Sequence, residues 1–224
     1  MTDEKSQKAL SGEELFLAVK EKVREILEEA PSCHDFAHTL RVLANTEELI
    51  ALEKADEKTA FAARLGALLH DIARPEELAS GGKICHAQEG GPKAEKILRE
   101  LSCGDEALIS SVCSAVRRHR YRGKEKPETQ VDFLVHDGDK LDSIGAVGIA
   151  RACHFAGRIG ANLHNTQEEA LASKAYSRED TAYREYLVKL RHVPERMLTE
   201  SGKHLARERA SYMEEFFRRM NENR

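Results

Sequence analysis

The chain has 224 residues, of which 41% are hydrophobic and 33% charged, with no Trp and a formal net charge of −4. That length and balance describe one globular domain, with at most an added helical lobe, and the net negative charge gives no support to a general nucleic-acid surface. No apolar run approaches the roughly 18 residues of a membrane span and none at the start has the form of a signal peptide, so a cytoplasmic protein without a membrane partner is expected.

Residues 1–10 are polar and read as a frayed end. Ser11 followed three positions later by Glu14 has the pattern of a capping box. A helix is predicted from there to about Ala30, with Leu15, Val19, Val23, Ile26 and Leu27 on one face, and Pro31-Ser32 ends it. The next helix begins near His34 or Asp35 and ends near Leu52, with Leu40, Leu43, Leu49 and Ile50 inward. Asp56 is predicted to cap a third helix, Lys58 to Ala73, which Pro75 stops. Glu76 to Ile84 contains Gly81-Gly82 and reads as a loop.

His86 opens a helix to about Leu101, with an irregular start at Gly90-Gly91-Pro92. Gly104-Asp105 opens another to His119, with Leu108, Ile109, Val112 and Val116 inward. The basic run from Arg117 to Lys126 is either a solvated helix end, where cations suit the dipole, or a collar for an anionic substrate. A helix from Val131 to about Asp142 is apolar at Val131, Phe133, Leu134 and Val135. The small residues between Ile144 and Gly160 suit closely packed helices, and Asn162 to Lys174 reads as a loop or lid. Amphipathic helices are predicted at about Asp180–Arg191 and Pro194–Met220, as a packing lobe or dimer surface. Ala and Leu at this density favour helix, and no strand-like alternation, repeat or clear linker interrupts the pattern, so the fold is all-α. Cys33, Cys85, Cys103, Cys113 and Cys153 contain no Cys-x-x-Cys pair and are odd in number, as expected of free thiols in a reducing compartment.

The chemistry centres on His70-Asp71, at the end of the apolar run from Phe61 to Leu69. A carboxylate at the end of a buried helix needs a partner, and a divalent cation is a natural one for adjacent imidazole and carboxylate groups. Further ligands are available upstream in His34-Asp35-Phe36-Ala37-His38 and downstream in Asp137-Gly138-Asp139-Lys140-Leu141-Asp142. His34 and His38 lie four apart, on one helical face, so His34 neighbours any site built on His38.

A histidine, then His-Asp, then an aspartate, each on its own apolar helix, resembles the HD-domain superfamily of metal-dependent phosphohydrolases. The resemblance selects His38, three residues before Arg41-Val42, and Asp139, before Lys140-Leu141-Asp142. The run Gly145 to Arg151 resembles a small bacterial branch of nucleotide-pyrophosphohydrolase-like proteins. The match is good over about 30–158 and looser to the C-terminus. It implies a single HD-type helical bundle with residues 159–224 as a C-terminal helical extension packing on it.

The resemblance implies one divalent metal ion (Mn, Fe, Mg, Zn, Ni or Co) held by His38, His70, Asp71 and Asp139. The expected catalytic residues are Asp71, Lys140 and Asp142. Arg41, Arg74, His86, His119 and Lys140 are expected to contact a small phosphorylated substrate, a nucleotide, in a monomer or homodimer. Some family members carry an acidic residue where this chain has Arg74; Glu76, Glu77 or Asp142 could take its part. Other branches use extra histidines for further metals, and His86 and His119 stand in that order. The expected reaction is hydrolysis of a phosphoester or phosphoanhydride by metal-activated water. The alternatives are a phosphodiesterase or alarmone hydrolase, and a degenerate HD domain that binds a nucleotide or protein without turnover.

Overall fold

The computed structural model describes residues 10–28, 34–120 and 125–222, and every regular element among them is helical. The chain divides into two compact units, with the boundary between Gly138 and Asp139.

The first unit is organised around α3 (Glu57–Leu69). Leu65, Leu68 and Leu69 are fully buried, as are Ala63 and Ala67. A helix apolar on nearly every face belongs inside a core, and α1 (Gly12–Leu27), α2 (Phe36–Leu52) and α6 (Glu106–Arg118) pack around it. Each fully buried Leu contributes about 1.5–3 kcal/mol. Gly66 makes room for neighbours, since a Cβ there would stand 2.9 Å from Val135 and 3.3 Å from Ala115.

Local capping sets these starts as the sequence predicts. Ser11 and Glu14 form the capping box of α1, and the Asp56 and Asp105 side chains accept backbone N–H groups at the starts of α3 and α6. Asp35 caps α2 by accepting from the His38 backbone at 2.8 Å. The α1 helix ends at Leu27; the Pro31-Ser32 break lies outside the described residues.

Three expectations for this unit are corrected. The helix bearing His70-Asp71 ends at Leu69 rather than Ala73, and residues 70–73 form turns. Pro75 then begins a helix, α4 (Arg74–Ala79), inside the stretch expected to be a loop. Proline lacks only an N–H that is unpaired in a first turn anyway, so it suits the start of a helix as well as the end of one. Third, α5 (His86–Glu100) runs unbroken through Gly90, Gly91 and Pro92. Those glycines serve packing: a Cβ at Gly90 would lie 2.8 Å from Val116, and one at Gly91 2.6 Å from Arg117. They let α5 lie close against α6. The pairing is antiparallel, with Arg99 on Glu106 at one end and His86 beside His119 at the other.

α7 (Gln130–Asp142) crosses the unit boundary. Within the first unit, Gly138 lies on α2: its carbonyl accepts from Asn45 at 3.0 Å, and a Cβ would stand 2.2 Å from the Thr46 hydroxyl.

In the second unit, α8 (Gly145–Arg158) packs with α10 (Ala182–Val188) and α11 (Glu200–Glu222), and α9 (Gln167–Ala172) packs on α10. The stretch expected to be a loop or lid therefore contains a helix, because Thr166 and Glu169 form a capping box. The last predicted helices are shorter than expected. α10 stops at Val188, short turns cover 190–192 and 194–196, and α11 starts at Glu200. Tyr183, Tyr186 and Phe217 form an aromatic cluster between α10 and α11. Among the described residues no helix is long and apolar enough to cross a membrane.

Candidate metal centre

His70 is the residue after the last turn of α3, and His119 holds the same place after α6. Each ring turns back on its own helix: Nδ1 lies 2.8 Å from the carbonyl three residues earlier, Ala67 for His70 and Val116 for His119. A carbonyl only accepts, so Nδ1 carries a proton in both rings, and in the neutral ring Nε2 presents a lone pair. His86, at the start of α5, is held in the same sense by Glu77, whose carboxylate oxygen lies 2.9 Å from Nδ1.

These lone pairs converge on Asp71, which is 1% exposed. On one side its Oδ2 faces His34 Nδ1 at 2.8 Å, His38 Nε2 at 3.6 Å and His70 Nε2 at 3.7 Å. On the other its Oδ1 faces His86 Nε2 at 3.3 Å and His119 Nε2 at 3.7 Å. His38 and His70 bring their Nε2 atoms within 3.2 Å of each other, and so do His86 and His119. With both rings neutral, the facing nitrogens of the second pair are both acceptors, a contact that a cation would relieve. His34, His38 and Asp71 form one group of possible metal ligands and Asp71, His86 and His119 another. The donor set, imidazole nitrogen and carboxylate oxygen, fits a borderline or hard divalent cation.

The electrostatics agree with that set. Burial alone would push the Asp71 carboxyl up, but His70, Arg74, His119 and His34 around it hold it well below the usual carboxylate range. Asp71 is therefore ionised. Burial drives His86 down to about 3, aided by His119 and Arg74. Neutral imidazole is the form that binds a metal.

Arg74 donates to Asp71 Oδ1 at 3.1 Å and to Glu77 at 2.5 Å. Arg120 donates to Glu77 at 3.0 Å. Arg41 is half-buried on α2, and Arg118 pairs with Glu125 and Glu128 instead. Residues 121–124 of the basic run lie outside the described residues. Of the acidic residues considered in place of Arg74, Glu76 is exposed beside Lys93, whereas Glu77 is buried against His86. In the second unit, Lys140 pairs with Asp139, and buried Asp142 accepts from Arg151 at 2.7 Å.

His34 and Glu77 lie outside the ligand, catalytic and substrate sets that the resemblance implies, although the sequence offers His34 as a neighbour of His38 and Glu77 as one replacement for the acid at Arg74. His34 precedes the Asp35 cap of α2 rather than sharing a helical face with His38, and still reaches Asp71 at 2.8 Å. Nothing local marks Glu77 above Glu76. His86 and His119, expected as substrate contacts, stand on the same carboxylate as His38 and His70.

Residues 35–144 match the family model described as HD domain. The chain is 29% identical over 212 residues to an uncharacterised protein of Bacillus subtilis, YpgQ, covering 90% of this chain and 89% of that one. A crystal structure of YpgQ in complex with ADP superposes with a TM-score of 0.73 at 24% identity, covering 96% and 97% of the two chains. A protein described as a predicted HD superfamily hydrolase, from an uncultured Thermotogales bacterium, is 28% identical with a TM-score of 0.65, covering 92% and 90%. One described as an HD-superfamily hydrolase, from Bacillus thuringiensis, is 25% identical with a TM-score of 0.73, covering 95% and 98%. Residues 35–144, which contain the His70-Asp71 pair, are thus an HD domain.

Proposed function

We propose that this protein is a metal-dependent phosphohydrolase that cleaves a phosphoester or phosphoanhydride bond of a small nucleotide. The observation that carries this is the Asp71 carboxylate, which faces His38 and His70 with one oxygen and His86 and His119 with the other. Such a carboxylate suits two divalent cations rather than the one expected from the sequence. We assign His38, His70 and Asp71 to the first, and Asp71, His86 and His119 to the second. Asp139 joins the first set on the strength of the sequence motif.

A bound divalent cation supplies a hydroxide-like nucleophile at neutral pH and offsets charge on the phosphoryl oxygens. The chain's own groups orient and neutralise. The Ala67 and Val116 carbonyls and Glu77 fix the ring protons of His70, His119 and His86 away from the centre. Asp71 and Glu77 are both held below the usual carboxylate range, so at neutral pH each is ionised and accepts hydrogen bonds rather than donating a proton. Arg74 and Arg120 place guanidinium groups beside the cluster, where phosphoryl transfer calls for cations. Lys140, Arg41 and Asp142 keep the substrate and catalytic roles given by the motif. The ADP bound by YpgQ supports a nucleotide ligand.

A second reading, a nucleotide-binding module without turnover, is favoured by Arg74, a base lying on Asp71 where some relatives carry an acid. Incubation with ribo- and deoxynucleoside triphosphates, monophosphates and cyclic dinucleotides, with Mn²⁺ or a chelator, separates the two. Chelator-sensitive release of phosphate, pyrophosphate or linear nucleotide, abolished in Asp71→Ala, supports the hydrolase. Metal-dependent nucleotide binding without product supports the binding module.

A further inference from the structure

We propose that Glu77 is the positioning residue of the second cation site, acting through His86. This rests on the two-cation reading above. Glu77 is 7% exposed, and its carboxylate gathers groups from separate elements. Oε2 accepts from His86 Nδ1 at 2.9 Å and from Arg74 at 2.5 Å, and Oε1 accepts from Arg120 at 3.0 Å.

His86 needs such a partner. His70 and His119 follow the ends of helices, so each ring finds the carbonyl three residues behind it. His86 stands in the first position of α5, and the first turn of a helix presents N–H groups rather than carbonyls. Its Nδ1 proton therefore has no local acceptor, and Glu77, from the preceding short helix, provides one. With Nδ1–H committed to Glu77, the Nε2 lone pair must face Asp71 and His119. Without Glu77, the proton is free to move to Nε2, where Asp71 Oδ1 at 3.3 Å would accept it. That tautomer cannot bind a metal at Nε2. Such outer carboxylates typically change metal affinity by about 10- to 100-fold. Glu77 also draws Arg74 and Arg120 into the same corner, so their charges are offset before a cation arrives.

The test uses the full chain as Glu77→Ala and Glu77→Gln, with two readouts. The first is the ring ¹⁵N spectrum of His86 in chelator-treated protein. The wild type should show the Nδ1–H form, Glu77→Ala should lose it, and Glu77→Gln should keep it, because the Gln carbonyl can still accept from Nδ1. The second is Mn²⁺ titration by calorimetry. Wild type should take up two ions, and Glu77→Ala should weaken one of them by about 10-fold or more while leaving the other. Glu77→Gln should restore most of the loss, which a purely structural defect would not do.

Unchanged His86 tautomer and unchanged uptake of two ions in Glu77→Ala would overturn the proposal. If the wild type binds a single ion, the two-cation reading fails and the proposed role in a second site goes with it. The tautomer spectrum then decides separately whether Glu77 positions His86. If Glu77→Ala does not fold, the spectrum of wild type and of Glu77→Gln decides: an Nε2–H form in either one overturns the proposal.

Discussion

His86 and His119 face each other Nε2 to Nε2 across 3.2 Å, while the Nδ1 of each is already committed to an acceptor. With both rings neutral, two lone pairs at that distance repel, and a cation among them and Asp71 would relieve the repulsion. Divalent metal should therefore stabilise the fold. At a free Mn²⁺ concentration about 100 times Kd, binding to the native state alone adds about 2.7 kcal/mol. For a chain of this size that is a rise in Tm of roughly 5–10 °C. Thermal scans of chelator-treated protein with and without Mn²⁺ measure it, and an unchanged Tm would count against a metal centre here.

The same neutral histidine makes the metal-free protein acid-sensitive. Burial holds His86 at about 3, against an ordinary value of 6.5, so between those limits the unfolded chain carries a proton that the folded chain does not. Stability then rises with pH, by up to about 1.4 kcal/mol per pH unit for one such group. The contribution is complete above 6.5 and is lost as the pH falls towards 3. Asp71 and Glu77, both lowered, act in the same direction at more acidic pH. Urea midpoints of chelator-treated protein should fall between about pH 7 and pH 5, and His86→Asn should flatten that slope. Equal midpoints across the range would show that His86 is not held neutral.

Asp35 and Asp71 each follow a histidine, yet they do different work. Asp35 is half-buried and caps α2 through the His38 backbone, whereas Asp71 is buried among the imidazoles. Asp35→Ala should cost about 1 kcal/mol of stability, the usual value of a lost cap. It should leave metal uptake within a few-fold of wild type. Asp71→Ala should abolish metal uptake and any hydrolysis. Chemical denaturation and metal analysis on the same samples distinguish the two, and equal loss of metal in both would refute the assignment of Asp35 as a cap.

Gly138 precedes Asp139 and lies against Thr46 on the helix that carries His38. Gly138→Ala should destabilise the protein by about 1–3 kcal/mol, because the new Cβ would stand 2.2 Å from the Thr46 hydroxyl. Thr46→Ala removes that hydroxyl and should recover part of the loss, giving a coupling of about 0.5 kcal/mol or more in a double-mutant cycle. Strict additivity would mean that the close approach is not what fixes this crossing.

The sequence by itself determined the all-helical class, the helix starts at Ser11, Asp56 and Asp105, and the order of the histidine and aspartate motifs. Those features depend on caps, turns and periodicity within a few residues, where the local chain supplies the whole interaction. The tertiary structure decided the rest. Pro75 could equally stop one helix or start another, and the packing of the turn at 70–73 settled it as a start. Glu77 could not be told from Glu76, because only the approach of α5 buries one and leaves the other beside Lys93. His86 and His119 were expected to contact substrate, with a further metal as the alternative that their order allowed. They meet Asp71 because Gly90 and Gly91 let α5 lie close on α6 while α6 packs on α3, and no stretch of sequence read alone encodes that convergence.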